Sequence, residues 1–91
     1  MENVTILVGV NVDCFVVERE LLIKTTDYFK RILDGTFKDV QNDTLMYPDI
    51  TRIAFQDFII WMHAREYRPT NIKRAFDLYE LQQRFQKQTV H

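Results

Sequence analysis

The sequence predicts a single α+β domain spanning residues 1–91, with a small three-stranded sheet flanked by two helical hairpins. Three observations carry this prediction. Apolar residues alternate with a period of two near the N-terminus, and a further short strand precedes Pro48. Later segments switch to the i, i+3, i+4, i+7 spacing of amphipathic helices. The composition is 46% hydrophobic with only two Gly and two Pro, enough for one core and too ordered for a disordered or repeat chain.

Val4, Ile6 and Val8 alternate with Thr5, Leu7 and Gly9 as a first strand. Gly9 to Asp13 supplies turn chemistry, and Cys14-Phe15-Val16-Val17 resumes as a second strand, forming a hairpin. Both faces of this hairpin are apolar, which predicts cover on one side and partial cover on the other. Over Glu18 to Leu33 the residues Leu21, Leu22, Tyr28, Phe29, Ile32 and Leu33 form helical clusters. Thr25-Thr26-Asp27 interrupts them with capping side chains, so two short helices are expected, the second closing at Gly35. Thr44 to Tyr47 reads as a third strand stopped by Pro48. Asp49 or Thr51 should cap the next helix, in which Phe55, Phe58, Ile59 and Met62 form the stripe and Ile53, Ile60 and Trp61 widen it. Pro69-Thr70-Asn71 marks a break and a new cap. Ile72, Ala75, Phe76 and Tyr79 then restart the helical repeat, with Leu78, Leu81 and Phe85 alongside. Beyond Leu81 the chain turns to Gln, Arg and Lys, and fraying is expected there.

Few residues suggest covalent chemistry. His63 and the terminal His91 offer no zinc spacing with one distant cysteine, so no metal is expected and His63 reads as structural. Cys14, inside a strand beside Phe15, reads as a small buried hydrophobe. Gly9 and Gly35 are isolated and form no phosphate cradle, and the aspartates are scattered over loops and helix starts as caps and solvated charge. These features predict a non-enzymatic protein with no cofactor and no small-molecule substrate.

Twelve Lys+Arg against thirteen Asp+Glu leave a net charge of −1, which disfavours nucleic-acid or membrane-surface binding by global charge. Arg65, Arg68, Lys73 and Arg74, with Tyr67 between them, are the local exception and give an alternative reading as a small nucleic-acid binder. A solvated inter-helix connection is favoured over it. A lone cysteine and the absence of a basic leader or an apolar run of ~18 residues predict an intracellular protein, cytoplasmic or nuclear, with no membrane association. Asn3-Val4-Thr5 and Asn42-Asp43-Thr44 fit the glycosylation sequon as chance matches.

Phe15-Val16-Val17-Glu18-Arg19-Glu20-Leu21-Leu22 has the pattern Phe, x, Val, x, Arg, x, x, Leu, and Thr26-Asp27-Tyr28-Phe29 follows it. Asp49, Phe55 and Trp61-Met62 come next without gaps, and then Leu78-Tyr79, Leu81 and Phe85. Together these residues resemble the core of the BTB/POZ domain over roughly residues 3 to 85, in a short form with the later helix of fungal-type members. The chain departs from the family at Glu18, where the family carries His, at His63-Ala64-Arg65, where it carries Tyr-Thr-Gly, and at Gln82, where Ala is common.

The resemblance implies a mixed three-stranded sheet and a non-catalytic protein–protein interaction module that forms homo- or hetero-oligomers. It also implies, as an alternative, an adaptor subunit binding a cullin scaffold in a ubiquitin-ligase complex. The positions matching the family's cullin motif are Phe37-Lys38-Asp39, with Phe37 as apolar anchor and Asp39 as carboxylate. By the same resemblance the chain is expected to lack the swapped N-terminal extension and the closing helix, either as a minimal variant closer in extent to elongin C or as a fragment. Self-association would then use Phe76, Tyr79 and Phe85, or the Phe58/Trp61 face. The expected partners are a second copy, another BTB protein or a cullin.

Overall fold

The computed structural model describes residues 2–33 and 44–86. Its elements run β1 (Asn3–Val8), β2 (Asp13–Glu18), α1 (Arg19–Thr25), α2 (Asp27–Leu33), β3 (Thr44–Tyr47), α3 (Arg52–His63) and α4 (Ile72–Gln86). The sheet has the order β2-β1-β3, with β1 antiparallel to β2 and parallel to β3. It is therefore a mixed sheet of three strands in an α+β domain. No helix among the described residues is long and apolar enough to cross a membrane.

The register explains which side chains enter the core. Ile6 stands beside Phe15 and Leu45, and Val8 beside Asp13 and Tyr47. With Val4 and Val17, these residues form the inner face, because in-register neighbours point the same way. Val4, Ile6 and Val8 have no exposed surface. The opposite face carries Thr5 with Val16, and Leu7 with Cys14 and Met46. Cys14 is exposed, contrary to the buried position its apolar neighbours suggest. Strand alternation places it opposite Phe15, and among the described residues one face only is covered.

Helix boundaries follow local capping chemistry. Thr26 breaks the first helical hairpin in an extended conformation, and its hydroxyl accepts the Phe29 amide hydrogen at 3.1 Å. Thr51 caps α3 by accepting from the Ala54 amide at 3.2 Å, and the Asn71 side chain caps α4 by accepting from Arg74 at 3.1 Å. Arg19 joins both ends of the α1–α2 hairpin: its guanidinium donates to the Leu33 carbonyl and also lies 3.5 Å from the Glu2 carboxylate.

The helices close on an aromatic centre. Phe85, in the last turn of α4, is fully buried, with ring centroids 4.9 Å from Phe29, 5.0 Å from Tyr28, 5.4 Å from Phe58 and 5.6 Å from Tyr47. Three expectations are corrected here. The helix does not fray after Leu81 but continues through Gln86, because Phe85 anchors it. Of the two apolar sets on α4, Leu78, Leu81 and Phe85 face the core, whereas Ile72, Phe76 and Tyr79 are 86%, 57% and 55% exposed. Ile53 and Ile60 also lie on the outside of α3 rather than widening its buried stripe.

The β1–β2 turn holds local strain. Gly9 has φ +78°, which glycine adopts freely, and its amide donates to the Tyr47 carbonyl at 3.1 Å. Val12 has φ 55°, a left-handed conformation that costs a β-branched residue about 1–2 kcal/mol. Val12→Asn should therefore raise stability in urea unfolding by about 1 kcal/mol. Phe85→Ala should lower it by about 3–5 kcal/mol, enough to leave a domain of this size largely unfolded at room temperature in circular dichroism.

Candidate interaction surface

Asp57 sits on α3 in the apolar stretch between Phe55 and Phe58, with its side chain only 1% exposed. A buried carboxylate needs partners, and three donors meet it. Arg74 Nε donates to Oδ2 at 3.0 Å and Arg74 Nη2 to Oδ1 at 2.8 Å, a two-pronged contact from the first turns of α4. The Tyr67 hydroxyl donates to Oδ1 at 2.9 Å from the connecting loop. The Arg74 hydrogen bonds hold the Asp57 carboxyl below its ordinary range, against the opposing effect of burial, and the Tyr67 hydroxyl is pushed up by the same carboxylate. This clamp fixes the α3–α4 hairpin and hence the direction in which α4 presents its outer side.

The clamp takes up Arg74, one of the four cations that gave the nucleic-acid reading. Lys73 pairs with Asp77 at 3.1 Å, and Arg68 donates to the Tyr67 carbonyl at 3.0 Å. The Arg65 guanidinium lies 4.6 Å from the centroid of the Trp61 ring. With Arg74 on Asp57, all four cations have a partner within the chain. Arg84 likewise bridges to Asp49 at 2.7 Å while lying over the Tyr47 and Phe85 rings. Asp49 and Asp57, whose carboxyls are both held below their ordinary range, are thus each bound by an arginine. Burial and the 2.9 Å contact with Tyr28 push the Tyr47 hydroxyl far above its ordinary value, so it stays protonated. Among the described residues, no group of three His, Cys, Asp or Glu is placed to hold a metal ion.

What remains open is apolar surface. On α4, Ile72, Phe76 and Tyr79 recur at i, i+4 and i+7 along the side turned away from the core. The outer sheet face exposes Val16 (63%) and Met46 (59%) with Cys14. A groove of about 800 Å³ runs between the start of α3 and α4, past Thr51, Ala54, Asp77 and Leu81, and is bordered by the Asp49–Arg84 pair. Its lining is mostly polar, with Lys73 paired to Asp77, Asp49 paired to Arg84, and Glu80 beside them, so the stripe on α4 is the more coherent apolar surface.

The self-association residues expected from sequence separate accordingly. Phe76 and Tyr79 are exposed together on the α4 stripe. Phe85 and Phe58 have no exposed surface, so neither can meet a partner without unfolding the core, and Trp61 is buried with Arg65 lying over its ring. Phe37 and Asp39, the residues matching a cullin motif, lie outside the described residues. Asp57 escaped the sequence reading, although an acid within an apolar helical stripe opposite a run of cations was a usable signal. No family model matches the chain, and no curated protein matches it in sequence.

The depressed pKa of Asp57 sets the pH behaviour of the clamp. Its folded value is lower than its unfolded value of about 3.9, so its stabilisation is complete above that pH and is lost as pH falls through the folded value. Asp57→Asn should cost about 2–3 kcal/mol at neutral pH, near the low end for a broken buried pair because Arg74 is half exposed and rehydrates. It should also flatten the acid limb of the stability–pH profile, measured by urea unfolding between about pH 2 and 7.

Proposed function

We propose that the chain is a non-catalytic protein–protein interaction module of the BTB/POZ type, acting through homo- or hetero-oligomerisation. The observation that carries this reading is the α4 stripe, where Ile72, Phe76 and Tyr79 stand in solvent at helical spacing on a helix whose other face is fully used. Exposed aromatic side chains on a rigid element are the residues that dominate interface energies, and contiguous exposed apolar patches mark interaction sites. Two further features support it. The order of hairpin, two short helices, parallel third strand and helical hairpin agrees with what the BTB/POZ resemblance implies. The charged side chains around the buried centre are spent on internal pairs that hold this helix in place.

A photoreactive amino acid at position 79 should give intermolecular adducts in cells that produce the protein. Phe76→Asp should abolish them while leaving the far-ultraviolet circular dichroism and melting transition unchanged, since Phe76 is more than half exposed. No adduct from position 79, or adducts indifferent to Phe76→Asp, would overturn the assignment of this surface.

A further inference from the structure

The charges beside the α4 stripe point to its occupant. Successive residues of an α-helix turn by about 100°, so Ile72, Phe76, Tyr79 and Gln83 fall within a sector about 60° wide, centred away from Leu78, Leu81 and Phe85. On one flank of that sector lie Lys73 and Glu80, both exposed, roughly 90° round from the stripe. Asp77 and Arg84 lie further round toward the core, the first paired to Lys73 and the second to Asp49. The opposite flank carries Ala75 and Gln82, with no charge. Lys73 is 81% exposed even while touching Asp77, and Glu80 has no ion-pair partner among the described residues.

We infer that the stripe is covered by the α4 helix of a second copy, packed antiparallel about a two-fold axis passing between Phe76 and Tyr79. This deepens, and rests on, the reading of the α4 stripe as the interaction surface. A two-fold perpendicular to both helices brings like flanks together, so the Lys73/Glu80 flank of one copy meets the same flank of the other. Lys73 lies about 7 Å before the midpoint and Glu80 about 4 Å beyond it at 1.5 Å per residue, so the second copy's lysine arrives within about 3 Å, along the axis, of the first copy's glutamate. Two opposite-charge pairs form in this way, and the uncharged flanks meet without repulsion. In the same register Phe76 opposes Tyr79 across the axis and Ile72 opposes Gln83. A parallel arrangement would instead turn each charged flank toward the uncharged flank of the other copy, and neither pair would form.

A single helix pair buries less than the ~800 Å² per partner of a standard stable interface, so the dimer is weak and reversible, with a Kd in the micromolar to millimolar range. Sedimentation equilibrium of residues 1–91 up to about 1 mM tests it. The expected result is a concentration-dependent dimer that Lys73→Glu or Glu80→Lys alone weakens roughly tenfold, as two attractive pairs become repulsive. The double variant Lys73→Glu/Glu80→Lys should restore the parent Kd, and raised salt should erase the difference between variants. Both positions are exposed, and circular dichroism checks that each variant is folded. A monomer at every concentration, or a dimer indifferent to the charge swap, would overturn the inference. If the protein is monomeric while position 79 still crosslinks a different protein, the second copy is excluded as occupant and the interaction-module reading stands.

Discussion

The packing of Phe85 is the constraint on which the architecture depends. One ring from the last turn of α4 touches Tyr28 and Phe29 of α2, Tyr47 of β3 and Phe58 of α3. A short domain has little core to distribute, and here one side chain ties both helical hairpins and a strand of the sheet to the same point. The edge of this cluster is closed by Arg84, whose stem and guanidinium lie over Tyr47 and Phe85 while its charge reaches Asp49. Tyr28 and Tyr47 satisfy each other's hydroxyls at 2.9 Å, which allows two phenols to sit against that core without an orphaned polar group.

Phe85 alone would fix only one end of α4. The other end is fixed by Arg74 on Asp57, close to the helix start. Two anchors eleven residues apart, one apolar and one ionic, leave the helix no rotation about its own axis. The outward direction of Ile72, Phe76 and Tyr79 is therefore a consequence of interior packing. Rotating the helix to hide the stripe would withdraw Phe85 from four rings and strand a buried carboxylate, and each of those losses exceeds the gain from burying one exposed side chain.

Where sequence reading succeeded, the governing chemistry was local. Thr26, Thr51 and Asn71 each accept from an amide three residues on, a relation visible in any string of residues, and the strand alternation from Val4 to Val8 is equally self-contained. Where it failed, a distant partner decided. Helix α4 carries two apolar sets of similar quality, and only the position of the α2 and α3 rings selects Leu78, Leu81 and Phe85 for the interior. Likewise, both faces of β2 are apolar, so nothing local distinguishes Cys14 from Phe15. The side occupied by Phe55, 5.2 Å from Phe15, makes that choice. The same ambiguity merged Phe76 and Tyr79 with Phe58, Trp61 and Phe85 in one set of surface candidates, because residue type reports apolarity and not direction.

Among the described residues the outer sheet face and the α4 stripe are both uncovered, yet they are not equivalent as recognition surfaces. The sheet face offers a short row of mixed, mostly aliphatic side chains, Cys14, Leu7 and Met46 in register with Val16 one step along. Met is conformationally soft, and a three-stranded face presents no pronounced ridge to fix the orientation of whatever lies on it. The helix instead offers two aromatic rings and a β-branched residue on a ridge whose rotation is locked at both ends, with unlike charges offset along one flank only. Rigid rings lose little conformational freedom on contact, and a one-sided charge pattern discriminates between antiparallel and parallel partners. Recognition with defined geometry therefore belongs to α4, whose orientation is set by the buried interactions of Phe85 and Asp57.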